Sequence, residues 1–133
     1  MRTTTPARAA AALLVLEGFA LFAIVAWQLV ALVTGDTGSI ESAIALMVLT
    51  AVGAVALVAF GAAVWRGRSW GRSGGIVAQL LILAVALGAA TGAYAHPLTA
   101  VAIAVPAIIG LVLLVVSARR GARDASDEAS DRS

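Results

Sequence analysis

The sequence predicts an all-α fold: a four-transmembrane-helix bundle, up-down-up-down, with both termini in the cytoplasm. Three observations predict it. Of the 133 residues, 62% are hydrophobic and only 12% are charged, and the mean hydropathy is +1.03. A soluble domain of this size needs a polar surface that such a chain cannot supply. The apolar residues fall into four runs, each close to the roughly 20 residues a spanning helix needs. The basic residues are all arginines, nine of them, and a four-span reading puts every one on the same side of the membrane.

The first span is expected at about residues 9–33, behind a short cytoplasmic N-terminus at 1–8. Its apolar run is too long for a signal peptide, contains Glu17, and lacks a clear small-x-small cleavage site before the polar turn, so it is read as a retained helix. The turn formers of TGDTGS (34–39) end it. The second span is expected at about 40–65, with Ser39 as its N-cap and Glu41 favouring the positive end of its dipole. RGRSWGRSGG (66–75) interrupts the apolar pattern with Gly and Arg. The third span follows at about 75–94. Pro97 suits the first turn of the fourth, expected at about 98–117, where its missing N–H costs nothing. Short connections make consecutive helices antiparallel neighbours, and together the spans form one membrane domain over 9–118. The remaining stretch, 119–133, is polar and mixed in charge, and is expected to be a disordered cytoplasmic tail.

Arg2 and Arg8 precede the first span. Arg66, Arg68 and Arg72 lie between the second and third, and Arg119, Arg120, Arg123 and Arg132 follow the fourth. The opposite side carries Asp36, Glu41 and His96. The positive-inside rule then gives a multi-pass protein of the cell (plasma) membrane, N-in and C-in. Three or five spans would scatter the arginines.

Within this frame few residues can carry chemistry. Glu17 lies nine residues beyond Arg8, about 13 Å into the hydrocarbon. An ionised carboxylate there costs about 2.5–3.5 kcal/mol even on insertion scales. Two readings stand for it: a proton or cation site, or an acid whose hydrogen bond fixes helix packing. Gln79 lies seven residues beyond Arg72, about 10 Å in from the same face. The matched depths predict a Glu17–Gln79 hydrogen bond between the first and third helices, with Arg72 snorkelling toward Glu17 as the alternative. Gly18 leaves room for a neighbouring backbone.

The loop WRGRSWGR places Trp65 and Trp70 in the interfacial aromatic belt, and Arg66, Arg68 and Arg72 among anionic headgroups. It has no GxxxxGK[ST] pattern and follows no strand, so it is not a phosphate loop. Ala84, Gly88 and Gly92 on the third span, and Gly53 and Gly61 on the second, offer small faces for close helix contact within the bundle or between protomers. Pro106 is expected to kink the fourth helix. His96 is expected to cap or sit at the surface. Thr50, Thr91 and Gln28 are expected to be satisfied by backbone or interface. With no cysteine, no catalytic triad, no paired carboxylates and no metal-ligand cluster, neither an enzyme, a cofactor nor a metal is expected. The expected partners are the bilayer, with anionic headgroups on the cytoplasmic side, and a second copy or a larger membrane complex; nucleic acid is not expected.

Two resemblances follow from these residues. The chain resembles small four-helix integral membrane proteins of actinobacteria that have no assigned function. Leu16 and Glu17, the loop residues Trp65, Arg66, Gly67, Arg68, Trp70 and Arg72, and Gln79 carry the likeness, which spans most of the chain in hydropathy and about a dozen positions in motif. It implies a class of protein and no activity. The chain also resembles the small multidrug-resistance transporters, through its four helices in a short chain and through Glu17, which alone carries over. That likeness implies a carboxylate alternately binding protons and cationic drugs. The chain departs from that family in its greater length, its charged central loop, its missing aromatic signature near the third helix, and an arginine bias that fixes one orientation. The sequence thus points to a small polytopic membrane protein with a structural, accessory or lipid-interacting role. A proton-coupled small-molecule or cation transporter using Glu17 is the alternative.

Overall fold

The computed structural model describes residues 4–93 and 95–133; the first arginine, Arg2, and the expected end of the third span, Tyr94, lie outside the described residues. The described chain is four helices: α1 (Thr5–Thr34), α2 (Ile40–Trp65), α3 (Ser69–Thr91) and α4 (Pro97–Asp131). Each is long and apolar enough to cross a membrane, and no strand occurs among the described residues. The helices pack as a ring, α1 on α2, α2 on α3, α3 on α4 and α4 back on α1, with the first and third of these contacts the most extensive. α1 and α3 therefore face each other across the bundle.

The connections have identifiable chemistry. At the end of α1, Gly35 takes φ 76°. Asp36 N–H donates to the Ala31 carbonyl at 2.9 Å and Gly35 N–H to that of Leu32 at 3.3 Å, the double bond of a Schellman cap. The end of α2 repeats it. Gly67 takes φ 75°, Arg68 N–H donates to Ala63 at 2.9 Å, and Gly67 N–H to Val64 at 3.0 Å. Ser39 caps α2 as expected, its hydroxyl accepting from Ser42 N–H at 3.4 Å, with Glu41 in the first turn. Pro97 occupies the first turn of α4, and Pro106 lies within that helix.

Three boundaries differ from the sequence reading. α1 begins at Thr5 rather than near residue 9, because Pro6 can occupy its first turn. α3 begins at Ser69, not 75. Gly67 breaks the pattern as read, but Gly71, Gly74 and Gly75 are packing residues: a Cβ on Gly71 would stand 2.5 Å from that of Ala63 and 2.8 Å from Val64 N. The tail at 119–133, expected to be disordered, is helical as far as Asp131. Ala122, Ala125 and Ala129 are strong helix formers, and Arg120–Asp124, Arg123–Asp127 and Glu128–Arg132 are opposite charges four residues apart.

The core sits at the arginine-rich end. Ala7, Ala10, Ala11 and Leu14 of α1 meet Leu57 and Val64 of α2 and Leu114 of α4. Towards the other end buried apolar residues thin to Ala86 and Ala100. The remaining large side chains point outward: Val33 is 79% exposed and Leu98 87%. In lipid such a surface costs nothing, and helix association must come from close packing and polar contacts.

Candidate functional site

Close packing begins with small residues. Gly18 of α1 lies against α2, where a Cβ would meet the Ala54 carbonyl at 3.1 Å and Val58 N at 3.2 Å. Two turns nearer the arginine-rich end, Gly61 of α2 lies against α1, with Ala11 O at 3.0 Å and Val15 N at 3.2 Å from its ideal Cβ. These two contacts fix the rotation of α1. Glu17, one position and so about 100° round from Gly18, is thereby turned away from α2 and into the bundle, where it is half-buried.

On α3, Gly71, Gly75 and Gln79 recur every four residues and are all buried. Gln79 is fully buried, at 0% exposure. Its Nε2 donates to Glu17 Oε2 at 2.6 Å, across the bundle from α3 to α1. The expected hydrogen bond is present. Arg72, the alternative partner, lies against α4 instead: a Cβ on Gly121 would stand 3.6 Å from Arg72 Nη2.

The span of this bond depends on a residue that hydropathy does not reveal. Gly110 of α4 is buried beneath the Gln79 amide. A Cβ there would lie 2.9 Å from Nε2, 3.0 Å from Cδ and 3.1 Å from Leu13 Cδ2. The missing side chain is the space through which Gln79 crosses to Glu17. The spacing of Gly110 from Ala107 and Leu114, all buried, marks the inward face of α4 and is the one sequence signal that could have found it. The bond leaves one acceptor over: Gln79 Oε1 is buried without a hydrogen-bond partner among the described residues.

The arginine-rich end forms a second constellation. Trp65 and Trp70 are half-exposed, at 54% and 51%. The Arg8 guanidinium stands 5.7 Å from the centroid of the Trp65 ring, a cation–π distance. Trp70 meets Phe60 edge-on, with centroids 6.1 Å apart. Arg66 and Arg68 are exposed and Arg72 half-buried. Sequence reasoning placed the two tryptophans and the three loop arginines together but did not attach Arg8 to Trp65.

Among the described residues, apolar grooves run inward from this end on either side of α2. One, of about 570 Å³, lies between α1 and α2 and is lined by Val15, Phe19, Gly61, Trp65 and Arg66 among others. The other, of about 500 Å³, is lined chiefly by α2 and α3, through residues including Leu57, Phe60, Ser73, Val77 and Leu81. Neither is lined by Glu17 or Gln79.

The other polar residues hold local positions. Thr50 and Thr91 donate to the carbonyls of Leu46 at 2.7 Å and Leu87 at 2.8 Å. Gln28, expected to be satisfied, instead keeps a buried Oε1 without a partner among the described residues. His96 is exposed and precedes α4 without a side-chain capping bond. Gly88, expected on a close-contact face, has no heavy atom of a neighbouring element within 4 Å of an added Cβ. Among the described residues no three His, Cys, Asp or Glu side chains group as metal ligands would. No protein-family model matches the chain, and no curated protein or solved structure matches it either.

Proposed function

We propose that the chain is a small multi-pass protein of the cell membrane with a structural, accessory or lipid-interacting role, its arginine-rich end and both termini facing the cytoplasm. The observation that carries this reading is the use to which the intramembrane acid is put. Glu17 is bonded at 2.6 Å to a fully buried amide. A carboxylate bonded in this way fixes how α1 and α3 are turned toward each other. The positive-inside rule supports the orientation, and the helical pairs supply a rigid body that presents tryptophans and arginines at one interface.

The second reading, a proton-coupled transporter of small molecules or cations, has one observation in its favour. Gln79 Oε1 is an unpaired buried acceptor in the same amide that binds Glu17. That oxygen is a free acceptor on the amide that holds the carboxylate, and a proton or cation could use it. The two readings separate in proteoliposomes. Addition of lipophilic cations to the wild type and to Glu17→Gln is expected to release no protons from either, with both proteins folded. Release from the wild type that Glu17→Gln abolishes would establish the transporter and remove the structural reading.

A further inference from the structure

The groove between α1 and α2 has a feature the other groove lacks. Arg8, Ala12, Val15 and Phe19 follow one another at intervals of four, three and four residues, so they form one stripe along α1. The stripe is apolar below and cationic at its top. Arg8, one turn before Ala12, stands 5.7 Å from the ring of Trp65, and Trp65 and Arg66 line the groove itself. Its floor is Gly61, where the two backbones come together, and its rim is Phe19, 60% exposed, and Trp65, 54% exposed. From Ala11 to Phe19 it runs about 12 Å, close to one leaflet's share of a hydrocarbon core about 30 Å thick.

We propose that this groove is a binding site for one anionic phospholipid, with an acyl chain along the Val15–Phe19 wall and the headgroup phosphate held between Arg8 and Arg66. The charge balance selects the headgroup. Neither α1 nor α3 has an acid in its first turn, and the connecting residues Arg66, Gly67 and Arg68 contain none. Arg66 in the lining and Arg8 against the lining residue Trp65 put two cations at this end of the groove, with no salt-bridged carboxylate on either among the described residues. A choline headgroup would bring a third cation there; a glycerol headgroup brings none. The α2–α3 groove has no arginine in its lining and serves as an internal comparison. The proposal rests on the lipid-interacting reading above, and the test separates the two.

Three tryptophans make the test direct. Trp65 alone is retained in Trp27→Phe/Trp70→Phe, and Trp70 alone in Trp27→Phe/Trp65→Phe. The full chain is reconstituted in phosphatidylcholine vesicles containing brominated phosphatidylglycerol or brominated phosphatidylcholine, and quenching of each tryptophan is measured. Trp65 is expected to be quenched preferentially by the phosphatidylglycerol. That preference should fall about fivefold for Arg8→Gln and about fivefold for Arg66→Gln. Ala12→Phe, which fills the groove from an exposed position and keeps both arginines, should abolish it, with circular dichroism unchanged. Equal quenching of Trp65 by the two lipids would overturn the site. So would a preference that survives Ala12→Phe, or one that falls equally in Arg120→Gln, which removes the same single charge elsewhere. Anionic lipid enriched at Trp70 but not at Trp65 would sink the groove and leave the lipid-interacting reading standing; no enrichment at either would sink both.

Discussion

Gly110→Ala is the sharpest probe of the intramembrane bond, because it replaces neither bonded residue. The added methyl would stand 2.9 Å from Gln79 Nε2 and 3.0 Å from its Cδ, closer than carbon and nitrogen tolerate. The amide is the flexible end of its side chain, but it is fully buried and tied to Glu17 at 2.6 Å, so yielding means giving up that bond. Interhelical hydrogen bonds in membranes average about 0.6 kcal/mol and reach about 1.7, and overpacking a filled core adds about 1–3 kcal/mol. A loss of about 2 kcal/mol is expected. In a Gln79→Ala background the methyl meets empty space, and the contact at 3.1 Å with the terminal methyl of Leu13 relaxes with a small torsion. There the same substitution should cost under about 0.5 kcal/mol, leaving a coupling of at least about 1 kcal/mol between the two positions. Reversible unfolding in bicelles, for the wild type, both single variants and the double, measures it. Equal costs for Gly110→Ala in the two backgrounds would show that Gly110 does not make the room for Gln79.

Other outcomes follow from the same packing. Gly61→Val places a branched side chain where Ala11 O and Val15 N already crowd the Cβ position, and should destabilise the bundle by about 2–3 kcal/mol in the same unfolding experiment. Gly88→Ala meets nothing within 4 Å and should be neutral or stabilising by up to about 1 kcal/mol; a large loss would mean that this face is covered by another helix. A reporter fused after Ser133 should be active in the cytoplasm, and activity on the far side would refute the orientation. Gly121→Ala lies beyond the core in α4 and should stabilise the helix over residues 119–131 by about 1 kcal/mol, read by amide exchange.

The spans, their count and the polar pair were legible because each leaves a chemical mark. Arginine marks an interface, and depth then follows from a fixed rise per residue; that arithmetic alone matched Glu17 to Gln79. Rotation was harder. The helices are apolar on nearly every side, so hydropathy does not say which face turns inward. Glycine is ambiguous in the same way. Gly35 and Gly67 end helices through positive φ, whereas Gly71 and Gly75 continue one and let it approach α2 and α4. All four look alike in a row of letters. Gly110 drew no notice because a small residue in an apolar span changes neither hydropathy nor charge, and its role appears only once Gln79 lies over it. The region after Ser117 was misjudged for a different reason. Net composition argues against a packed core, but a helix stabilised by alanines and by charges four residues apart needs none.

The location of the bond explains why a costly acid is retained. In water, a helix is turned by its amphipathic stripe. In lipid, a uniformly apolar helix has no such preference, and many rotations bury similar surface. Small-residue contacts at Gly18 and Gly61 lock α1 to α2, but the path from α1 to α3 runs diagonally across the ring, where the helices are not packing neighbours. Leu14 reaches over that gap to Gly75 with a methyl; a polar side chain can reach over it with a directional bond. Gln79 does so above Gly110, so one hydrogen bond engages α1 and α3 while resting on α4. It lies at the inner edge of the tightly packed half of the bundle, next to the core of Leu14 and Leu114. Turning α1 by one residue would carry Glu17 either outward, to the exposed position of Leu16, or onto α2, to that of Gly18, and leave the Gln79 amide buried with neither of its polar atoms bonded. That penalty separates the observed rotation from its competitors, and it falls where both groups of the arginine-rich end, the Arg8–Trp65 contact and the Arg66 mouth, depend on α1 and α2 keeping their register.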